Sequence, residues 1–521
     1  MNRSHKTYRG APMKQVFVIS DLHLGGRPDK RDAEGRLVES GSQICHSYDR
    51  LREFVAWLTT KVGDEVELVI NGDFIDFLAE DDGFAAEEWT NDDEAAVAKL
   101  DRVVEARRAK VVFDALADFL HAGHRLTVLI GNHDLELSIP AVRARLQWHL
   151  RADATRYAHL FDGEAYSTGR LLIEHGNRYD AWNVVDHTRL RRERSARSRG
   201  ETISEEERTQ MFFLAPAGTK LVIHYMNPLK ARYRFIDLLK PEGAAMIPIL
   251  LALEPTIEPS LRSLVRGMNI IKSKWQHRMV APDHPQEDDY GGQDEDKLDS
   301  ILSEELGALS TEFPRASAAS AAYEEEMGGF VGAPAVPFPQ QVGGWARQFG
   351  ESARTAWDYG QIRALPDGER RLRRLHAALL RLAGKDRSFD TTFEEPCYVE
   401  AAKSTALNGN FDAVVYGHTH LPKCVDLKLG GRSVYLNTGT WADVLRLPPA
   451  LAGNFEDCQE ELRRFVGALE SNDYADYVQR YLTYAEIHLR ADGRVDKAEI
   501  HSFCGTGRPQ EPPLTSSKAG P

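Results

Sequence analysis

The sequence predicts an α/β fold interrupted by a large, mainly helical insertion. Over the first 185 residues, short apolar runs of strand type alternate with segments of helical spacing, which is typical of α/β domains. Helical stretches, charge runs and low-complexity segments then replace this alternation until about residue 401. We therefore predict one domain in two parts, 1–185 and 401–505, separated by an insertion over 186–400 and followed by a disordered tail over 506–521.

The predicted strands are compact runs of β-branched and other apolar residues that end at polar or glycine-containing segments. In the first part they cover 16–19, 67–70, 126–130 and 171–174, with helical spacing over 48–61 and 93–120. In the second part they cover 412–416 and 433–436, and a closing hairpin joins 481–489 to 495–502. The carboxyl ends of such strands are where open α/β sheets bind their ligands.

Composition argues against several classes of protein. The formal net charge of −14 disfavours general coating of nucleic acids, which requires a surplus of Lys and Arg. Five scattered cysteines form no Cys-x-x-Cys pair, so a disulfide framework or thiolate zinc site is not expected. The longest apolar stretch, 244–253, falls far short of the ~20 residues of a membrane span, and no apolar core of a signal peptide follows the polar, basic residues 1–13. We expect a cytoplasmic protein without a transmembrane segment, for which peripheral membrane contact stays open.

Five short polar segments follow predicted strands. They are 21–23 (Asp-Leu-His), 72–76 (Gly-Asp-Phe-Ile-Asp), 131–134 (Gly-Asn-His-Asp), 175–177 (His-Gly-Asn) and 417–420 (Gly-His-Thr-His). Each carries Asp, Asn or His, whose oxygen and nitrogen atoms bind divalent metals. Taken singly, such residues more often form turns, cap helices or serve as structural histidines. The ordered set favours a metal site, whereas Asp134 and Asp180 are weaker candidates, since either could simply cap a helix. Four further histidines match no motif and are assigned to the surface or the core: His121, His124, His187 and His224.

The ordered set resembles the calcineurin-like metallophosphoesterase superfamily over about 16–180 and 410–505. This resemblance implies a central β-sandwich flanked by helices, with two divalent metal ions at one edge. It assigns the first ion to Asp21, His23 and His420, the second to Asn132, His175 and His418, and makes Asp73 the bridge between them. It also places His133 near the leaving group with Asp76 as its orienting carboxylate. Ligands of this kind, without cysteine, suit Mn²⁺, with Fe or Zn²⁺ as alternatives.

The resemblance implies a metallophosphoesterase that hydrolyses a phosphodiester, pyrophosphate or phosphomonoester with water activated by two metals. We expect a phosphorylated small-molecule or nucleotide-like substrate, contacted by Asn177 and Arg178 because they adjoin a predicted ligand. In motif style the chain is nearest to the UDP-2,3-diacylglucosamine hydrolase branch, which cleaves a pyrophosphate and has a helical lid. It departs from that branch by carrying His133 in place of Arg and by its much larger insertion.

Three alternatives remain open at the level of sequence. They are a nuclease, a phosphoprotein phosphatase and a non-catalytic scaffold that uses the insertion to bind a partner. The Arg-Gly pair of phosphoprotein phosphatases is absent, since Phe77 and Leu78 follow Asp76. A nuclease would show a steep salt dependence. A scaffold would have no need of the intact set of metal-binding residues.

The insertion contains two arginine clusters. They are Arg189, Arg191, Arg192, Arg194, Arg197 and Arg199, and Arg370, Arg371, Arg373, Arg374 and Arg381. We interpret both as solvated helix faces with ion pairs, the alternative being a lid that clamps phosphates. The apolar stretch 244–253 is interpreted as packing surface, the alternative being an acyl-chain site. The acidic stretch 284–297 is expected to be a mobile loop, and 327–344 to lack regular structure.

Overall fold

The structure is a computed structural model of the chain. It describes residues 14–33, 37–39, 41–61, 66–80, 89–90, 92–180, 182–204, 207, 211–216, 218–219, 222–223, 230, 233–240, 242–253, 368–383, 387–430, 433–505 and 509–510. The predicted segments 284–297 and 327–344 lie outside the described residues, as does the predicted tail except for residues 509–510.

The described strands are β1 (Lys14–Ile19), β2 (Lys30–Arg31), β3 (Leu37–Glu39), β4 (Val66–Asn71), β5 (Arg125–Leu129), β6 (Tyr157–Leu160), β7 (Tyr166–Thr168), β8 (Leu171–Ile173), β9 (Leu239–Lys240), β10 (Ala413–Tyr416), β11 (Pro422–Asp426), β12 (Val434–Thr438), β13 (Val444–Arg446), β14 (Val478–Gln479), β15 (Thr483–Leu489), β16 (Val495–Phe503) and β17 (Pro509–Gln510). The described α-helices are α1 (Tyr48–Thr59), α2 (Asp93–Glu105), α3 (Arg107–His121), α4 (Pro140–His149), α5 (His187–Ser198), α6 (Glu242–Leu253), α7 (Gly368–Ala383), α8 (Pro396–Gly409) and α9 (Phe455–Glu470).

Two sheets face each other and form the central β-sandwich that the resemblance implied. One has the strand order β17-β16-β15-β1-β4-β5-β6, and the other has the order β11-β12-β10-β8-β7. Strands β1, β4, β5 and β6 run parallel in the first sheet, as do β8, β10 and β12 in the second. Apolar side chains from both sheets fill the space between them, among them Val16, Val69, Ile173, Val415 and Ile487. The predicted hairpin is confirmed as the antiparallel pair β15 and β16.

Helices cover the outer faces of the sandwich. Because side chains alternate along a strand, Phe17 and Ile19 of β1 point away from the second sheet and join the core under α1 to α4. Helix α8 packs on the outer face of the second sheet. The predicted helical segment 93–120 is divided into α2 and α3 at Ala106, whose backbone is extended at ψ 126°. This break lets α2 pack against α4 while α3 packs against α1.

A separate helical core stands beside the sandwich, and we call it the helical unit. It consists of α6, α7 and α9 with the small sheet β14-β13-β9. Helix α6 contributes Met246, Ile249 and Leu250 to this core, so the stretch 244–253 is packing surface as interpreted. The unit also takes in Leu445, Leu462 and neighbouring residues from 444–479. The range predicted as the second part of the main domain therefore contributes to two cores.

Two further observations concern the ends and the membrane. Pro509 and Gln510, within the predicted disordered tail, form β17 and pair with Phe503 and Ser502 of β16. The tail is thus ordered at these two residues, because the edge of β16 offers them backbone hydrogen-bond partners. Among the described helices, none is both long enough and apolar enough to cross a membrane.

Candidate metal centre

All seven predicted metal ligands lie on loops at the carboxyl ends of sandwich strands. Strand β1 leads to Asp21 and His23, β4 to Asp73, β5 to Asn132, β8 to His175, and β10 to His418 and His420. Strands β1, β4 and β5 belong to one sheet, while β8 and β10 belong to the other. The centre therefore forms where the edges of the two sheets meet.

Five of these residues adopt left-handed backbone conformations, which non-glycine residues rarely do. Their φ angles are 53° at Asp21, 44° at His23, 50° at Asp73, 69° at His418 and 63° at His420. Such conformations cost of order 1–3 kcal/mol each and persist only where the surroundings impose them. Their concentration in the predicted ligand loops marks this edge of the sandwich as a functional site.

The first group of donor atoms belongs to Asp21, His23, Asp73 and His420. One donor atom from each lies within 4.8 Å of all the others, a spacing that fits a shared metal ion. The Nε2 atoms of His23 and His420 are 3.1 Å apart, and His420 Nε2 is 3.3 Å from Asp21 Oδ1. These side chains point at a common position rather than at separate partners.

The second group consists of Asp73, His175 and His418, again with donor atoms within 4.8 Å of one another. Asp73 belongs to both groups, as expected of a bridging carboxylate. His175 donates from Nδ1 to the carbonyl oxygen of Asn71 at 2.8 Å, which leaves Nε2 facing Asp73 Oδ2 at 3.2 Å. An outer hydrogen bond of this kind is how a metal-binding histidine is oriented.

Two buried atoms of predicted second-ion ligands make no hydrogen bond among the described residues, although one of them, His175 Nε2, faces Asp73 Oδ2. They are Asn132 Oδ1 and His175 Nε2. An unpaired buried polar atom costs roughly 1–3 kcal/mol, so native proteins avoid leaving one without a reason. Both atoms are good ligands for a divalent cation, and a bound ion would satisfy them. The residues present therefore fit a metal at this position.

Two aspartates that were weaker candidates in the sequence, because either could cap a helix, lie at the centre. Asp180 accepts a hydrogen bond from His418 Nε2 at 3.0 Å, which leaves His418 Nδ1 for the centre. Asp134 accepts from the backbone of Gly131 at 2.6 Å and of Phe74 at 2.8 Å, and so joins two ligand loops. Capping is not their role here: Asp134 makes no side-chain cap bond to the short helical turn after it, and each carboxylate bonds a segment distant in sequence, Phe74 or His418.

Glycines allow the ligand loops to approach each other. A Cβ atom on Gly131 would lie 2.7 Å from the backbone nitrogen of Asp73, and one on Gly417 would lie 2.7 Å from Asp21 Oδ2. Neither distance is tolerable for a carbon atom against a fixed neighbour. These two positions explain why Gly precedes Asn132 and His418 in the motifs.

His133 and Asp76 form a pair beside the first group. His133 Nδ1 lies 3.3 Å from Asp76 Oδ1, and the side chain of His133 is 22% exposed. Burial opposes the charge on His133, but Asp73 and Asp76 outweigh it and raise the pKa of His133 to about 9. Burial likewise opposes ionisation of Asp76, and His133 and His23 hold the pKa of Asp76 well below its usual range. The predicted orientation of His133 by Asp76 thus has a contact in the structure.

Burial and neighbouring charges also shift the pKa values of other groups in the centre. Burial opposes the charged form of His175, yet Asp73 raises the pKa of His175 to about 10. Burial and Asp73 raise the pKa of Asp134 to about 7. Burial and then Lys240 lower the pKa of His420 to about 3, despite the contact with Asp21. Metal binding requires neutral histidines, so it would compete with the proton on His175.

The predicted substrate contacts are not among the converging donor atoms. Asn177 donates from Nδ2 to the carbonyl oxygen of Asn183 at 2.8 Å, and Arg178 pairs with Glu174 at 3.4 Å. The arginine clusters also have acidic partners: Arg191 and Arg194 with Asp162, Arg197 with Asp93, Arg199 with Glu201, and Arg373 with Glu369 and Glu456. The exposed members Arg191, Arg199 and Arg373 fit the interpretation as solvated helix faces with ion pairs. Arg194 and Arg197 depart from it, because their side chains are only 9% and 15% exposed.

Comparison with known families identifies the domain. Residues 14–244 match the family model described as calcineurin-like phosphoesterase. The match covers the first four predicted motifs, and the fold brings His418 and His420 to them from outside the matched range. Comparison with curated proteins and with solved structures gave no match. The match identifies residues 14–244 as a calcineurin-like phosphoesterase domain, and such a domain indicates a hydrolase that acts on phosphoester bonds.

Proposed function

We propose that this protein is a dinuclear metal-dependent hydrolase of a phosphorylated small molecule or nucleotide-like substrate. The single observation that supports it most is the pair of donor groups that share Asp73. Asp21, His23 and His420 would hold one ion, while Asn132, His175 and His418 would hold the other. The set of carboxylate, imidazole and amide donors without cysteine suits Mn²⁺ best.

Two divalent ions held there would lower the pKa of water and neutralise charge on phosphoryl oxygens. The chain's own contribution is to fix the positions of charge and to exclude water from most of the centre. Asp21, His23 and Asp73 are each at most 1% exposed, so their interactions are only weakly screened. The Asp134 carboxylate joins the loops of Asp73 and Asn132, which fixes the positions of these two loops relative to each other.

His133 is the candidate proton donor to the leaving oxygen. Its Nδ1 faces Asp76, so its Nε2 is the nitrogen that remains for a substrate. The partial exposure of its side chain suits a group that must reach the substrate. A raised pKa keeps the ring protonated near neutral pH, as a general acid requires. The positive charge of two bound ions would bring that pKa down toward the working pH.

The helical unit supports a substrate with additional negative charge. The charge of Lys230 opposes the proton on His133, although the pKa of His133 is raised on balance, and after burial the charge of Lys240 helps to lower the pKa of His420. Lys230 also pairs with Asp237 at 2.6 Å. Both lysines come from the insertion, and Lys240 is 9% exposed on strand β9. A pyrophosphate or a phosphodiester with a second anionic group would place charge near them. The part of the unit that comes from the insertion, α6, α7 and β9, lies between the His-Gly and Gly-His-x-His segments, as does the lid of the UDP-2,3-diacylglucosamine hydrolase branch.

The test is a substrate panel with Mn²⁺ that compares phosphomonoesters, diesters, nucleotide pyrophosphates and nucleic acids. We expect hydrolysis of small phosphoesters, abolished by Asp73→Asn, with two ions bound per chain by elemental analysis. Cleavage of DNA or RNA with a steep loss at higher salt would favour the nuclease alternative. A protein that binds no transition ion on titration would contradict the proposal.

A further inference from the structure

A short turn next to the centre is bonded to two of the predicted second-ion ligands from different strands. We call it the 180–183 turn, formed by Asp180, Trp182 and Asn183 in the described part of this segment. Asp180 Oδ2 accepts from His418 Nε2 at 3.0 Å, and Asn183 Oδ1 accepts from Asn132 Nδ2 at 3.4 Å. His418 follows β10 and Asn132 follows β5, so the turn links ligands that the two sheets deliver separately.

The turn is held rigidly by its own hydrogen bonds. Asp180 accepts from the backbone nitrogen of Trp182 at 2.9 Å and from Asn183 Nδ2 at 2.8 Å. Asn183 in turn accepts at its carbonyl oxygen from Asn177 Nδ2 at 2.8 Å. The side chains of Asp180 and Asn183 thus both have partners that fix their orientation. Asp180 is 6% exposed, so water does not compete for these bonds.

Trp182 anchors the turn in the helical unit. Its side chain is 4% exposed and belongs to the core that contains Phe235, Leu239 and Leu445. Its carbonyl oxygen accepts from the backbone nitrogen of Gly218 at 2.7 Å. One side of the turn therefore contacts metal ligands, while the other is buried among residues of the insertion. A displacement of the helical unit would be transmitted to these ligands.

We propose that Asp180 and Asn183 are positioning residues for the second metal ion, and that they make its binding depend on the helical unit. This inference rests on the proposed dinuclear function and names what controls one of its two ions. Asp180 fixes the His418 tautomer that carries the proton on Nε2 and leaves the Nδ1 lone pair for the metal. Asn183 orients the Asn132 amide so that Oδ1, rather than Nδ2, faces the centre.

Asp180→Asn preserves shape but breaks this arrangement. The carboxylate accepts from three donors, namely His418, Trp182 and Asn183, whereas an amide has only one oxygen. An amide nitrogen turned toward His418 would favour the tautomer with the proton on Nδ1, which cannot bind a metal there. Loss of an outer partner of a metal-binding histidine typically weakens metal affinity about 10–100-fold. The first group of ligands has no described contact with Asp180.

The experiment is a calorimetric titration of the full-length protein with Mn²⁺, together with electron paramagnetic resonance. Wild type is expected to bind two ions and to show the spectrum of a coupled Mn²⁺ pair. Asp180→Asn should raise the dissociation constant of one ion about 10–100-fold and leave the other unchanged. With two equivalents of Mn²⁺ per chain, one more than its intact site binds, the paramagnetic resonance spectrum of Asp180→Asn should be that of isolated Mn²⁺. Asn183→Ala should act in the same direction and serves as the second variant if Asp180→Asn does not fold.

Asp186→Asn is the matched control. Asp186 caps α5 by accepting from the backbone nitrogen of Arg189 at 2.9 Å, and Asn caps helices equally well. It should leave both dissociation constants unchanged. Wild type that fails to bind two ions would overturn the proposed dinuclear function itself. Wild type that binds two ions, with Asp180→Asn and Asn183→Ala still showing a coupled pair at wild-type affinity, would overturn only the positioning role.

Discussion

Replacement of His133 by alanine separates proton donation from metal binding. The ring of His133 lies 4.8 Å from that of His23, and its Nδ1 is 3.3 Å from Asp76, so it stands beside the first donor group. The backbone nitrogen of His133 donates to Asp73 Oδ1 at 2.9 Å, and alanine retains this bond. Asp73 should therefore stay in place, and metal content should not change.

The expected magnitude follows from the leaving group. A positioned general acid contributes typically 10²–10⁴-fold to rate, so kcat of His133→Ala should fall by about that factor for an alkyl phosphodiester. An aryl phosphodiester with an acidic phenol needs little protonation, and its kcat should fall by less than about tenfold. Steady-state kinetics with both substrates, with metal content measured on the same samples, checks the prediction.

A competing reading exists because His23, Asp76 and His133 also bring donor atoms within 4.8 Å of one another. If His133 were a ligand, His133→Ala would lose metal, and activity on both substrates would fall in parallel. That result would refute the role as proton donor. An equal loss with both substrates at unchanged metal content would refute it as well.

Four further predictions concern pH, metal removal, steric space and charge. Asp76→Asn should lower the pKa of His133, since Asp76 is one of the carboxylates that raise it. Because protonated His133 is the active form, the variant should lose activity at a lower pH than wild type as the pH rises. A pH–rate profile whose basic limb does not move would contradict this. Removal of metal by a chelator should lower Tm, measured by scanning calorimetry. Mn²⁺ added at a hundred times its dissociation constant should restore about 2.7 kcal/mol of the free energy of unfolding per site. An unchanged Tm would exclude an ion at Asn132 and His175. Gly131→Ala should destabilise the fold by about 1–3 kcal/mol and reduce metal content, because the added Cβ would lie 2.7 Å from the backbone nitrogen of Asp73. A variant with wild-type stability to urea and full metal content would disprove this. Lys240→Gln should raise KM for an anionic substrate more than it lowers kcat, and an unchanged KM would remove Lys240 from substrate binding.

The part of the site that depends on local sequence could be predicted. Each ligand segment directly follows a strand, and β-strand runs with a glycine and an Asp, Asn or His behind them are visible without a structure. Gly131 and Gly417 are part of that local pattern, because close backbone approach has a recognisable residue type. The β-sandwich itself followed only from the family resemblance, since strand runs alone do not determine how sheets face each other.

Contacts between distant segments could not be predicted. Asp180 and His418 are separated by 238 positions, and Asp134 reaches Phe74 across 60 positions. Nothing in the local sequence distinguishes such a carboxylate from a helix cap. The helical unit could not be predicted for the same reason. Leu445 and Leu462 lie in ordinary helical or strand patterns, and only tertiary packing brings them to α6 and α7. The break at Ala106 reflects packing of α2 on α4, which outweighs the good helix propensity of alanine.

The sequence distance across the first donor group has a consequence for biosynthesis. His23 and His420 meet although 397 positions separate them. A ribosome adds roughly 5–20 residues per second, so tens of seconds pass between the synthesis of the two histidines. During that interval the nascent chain carries an incomplete set of carboxylate and imidazole donors, because His420 has not yet been synthesised. The first donor group can thus hold a cation with its full set of ligands only after His420 has been synthesised, and a product truncated before that residue would bind the ion less well and would be left less stable.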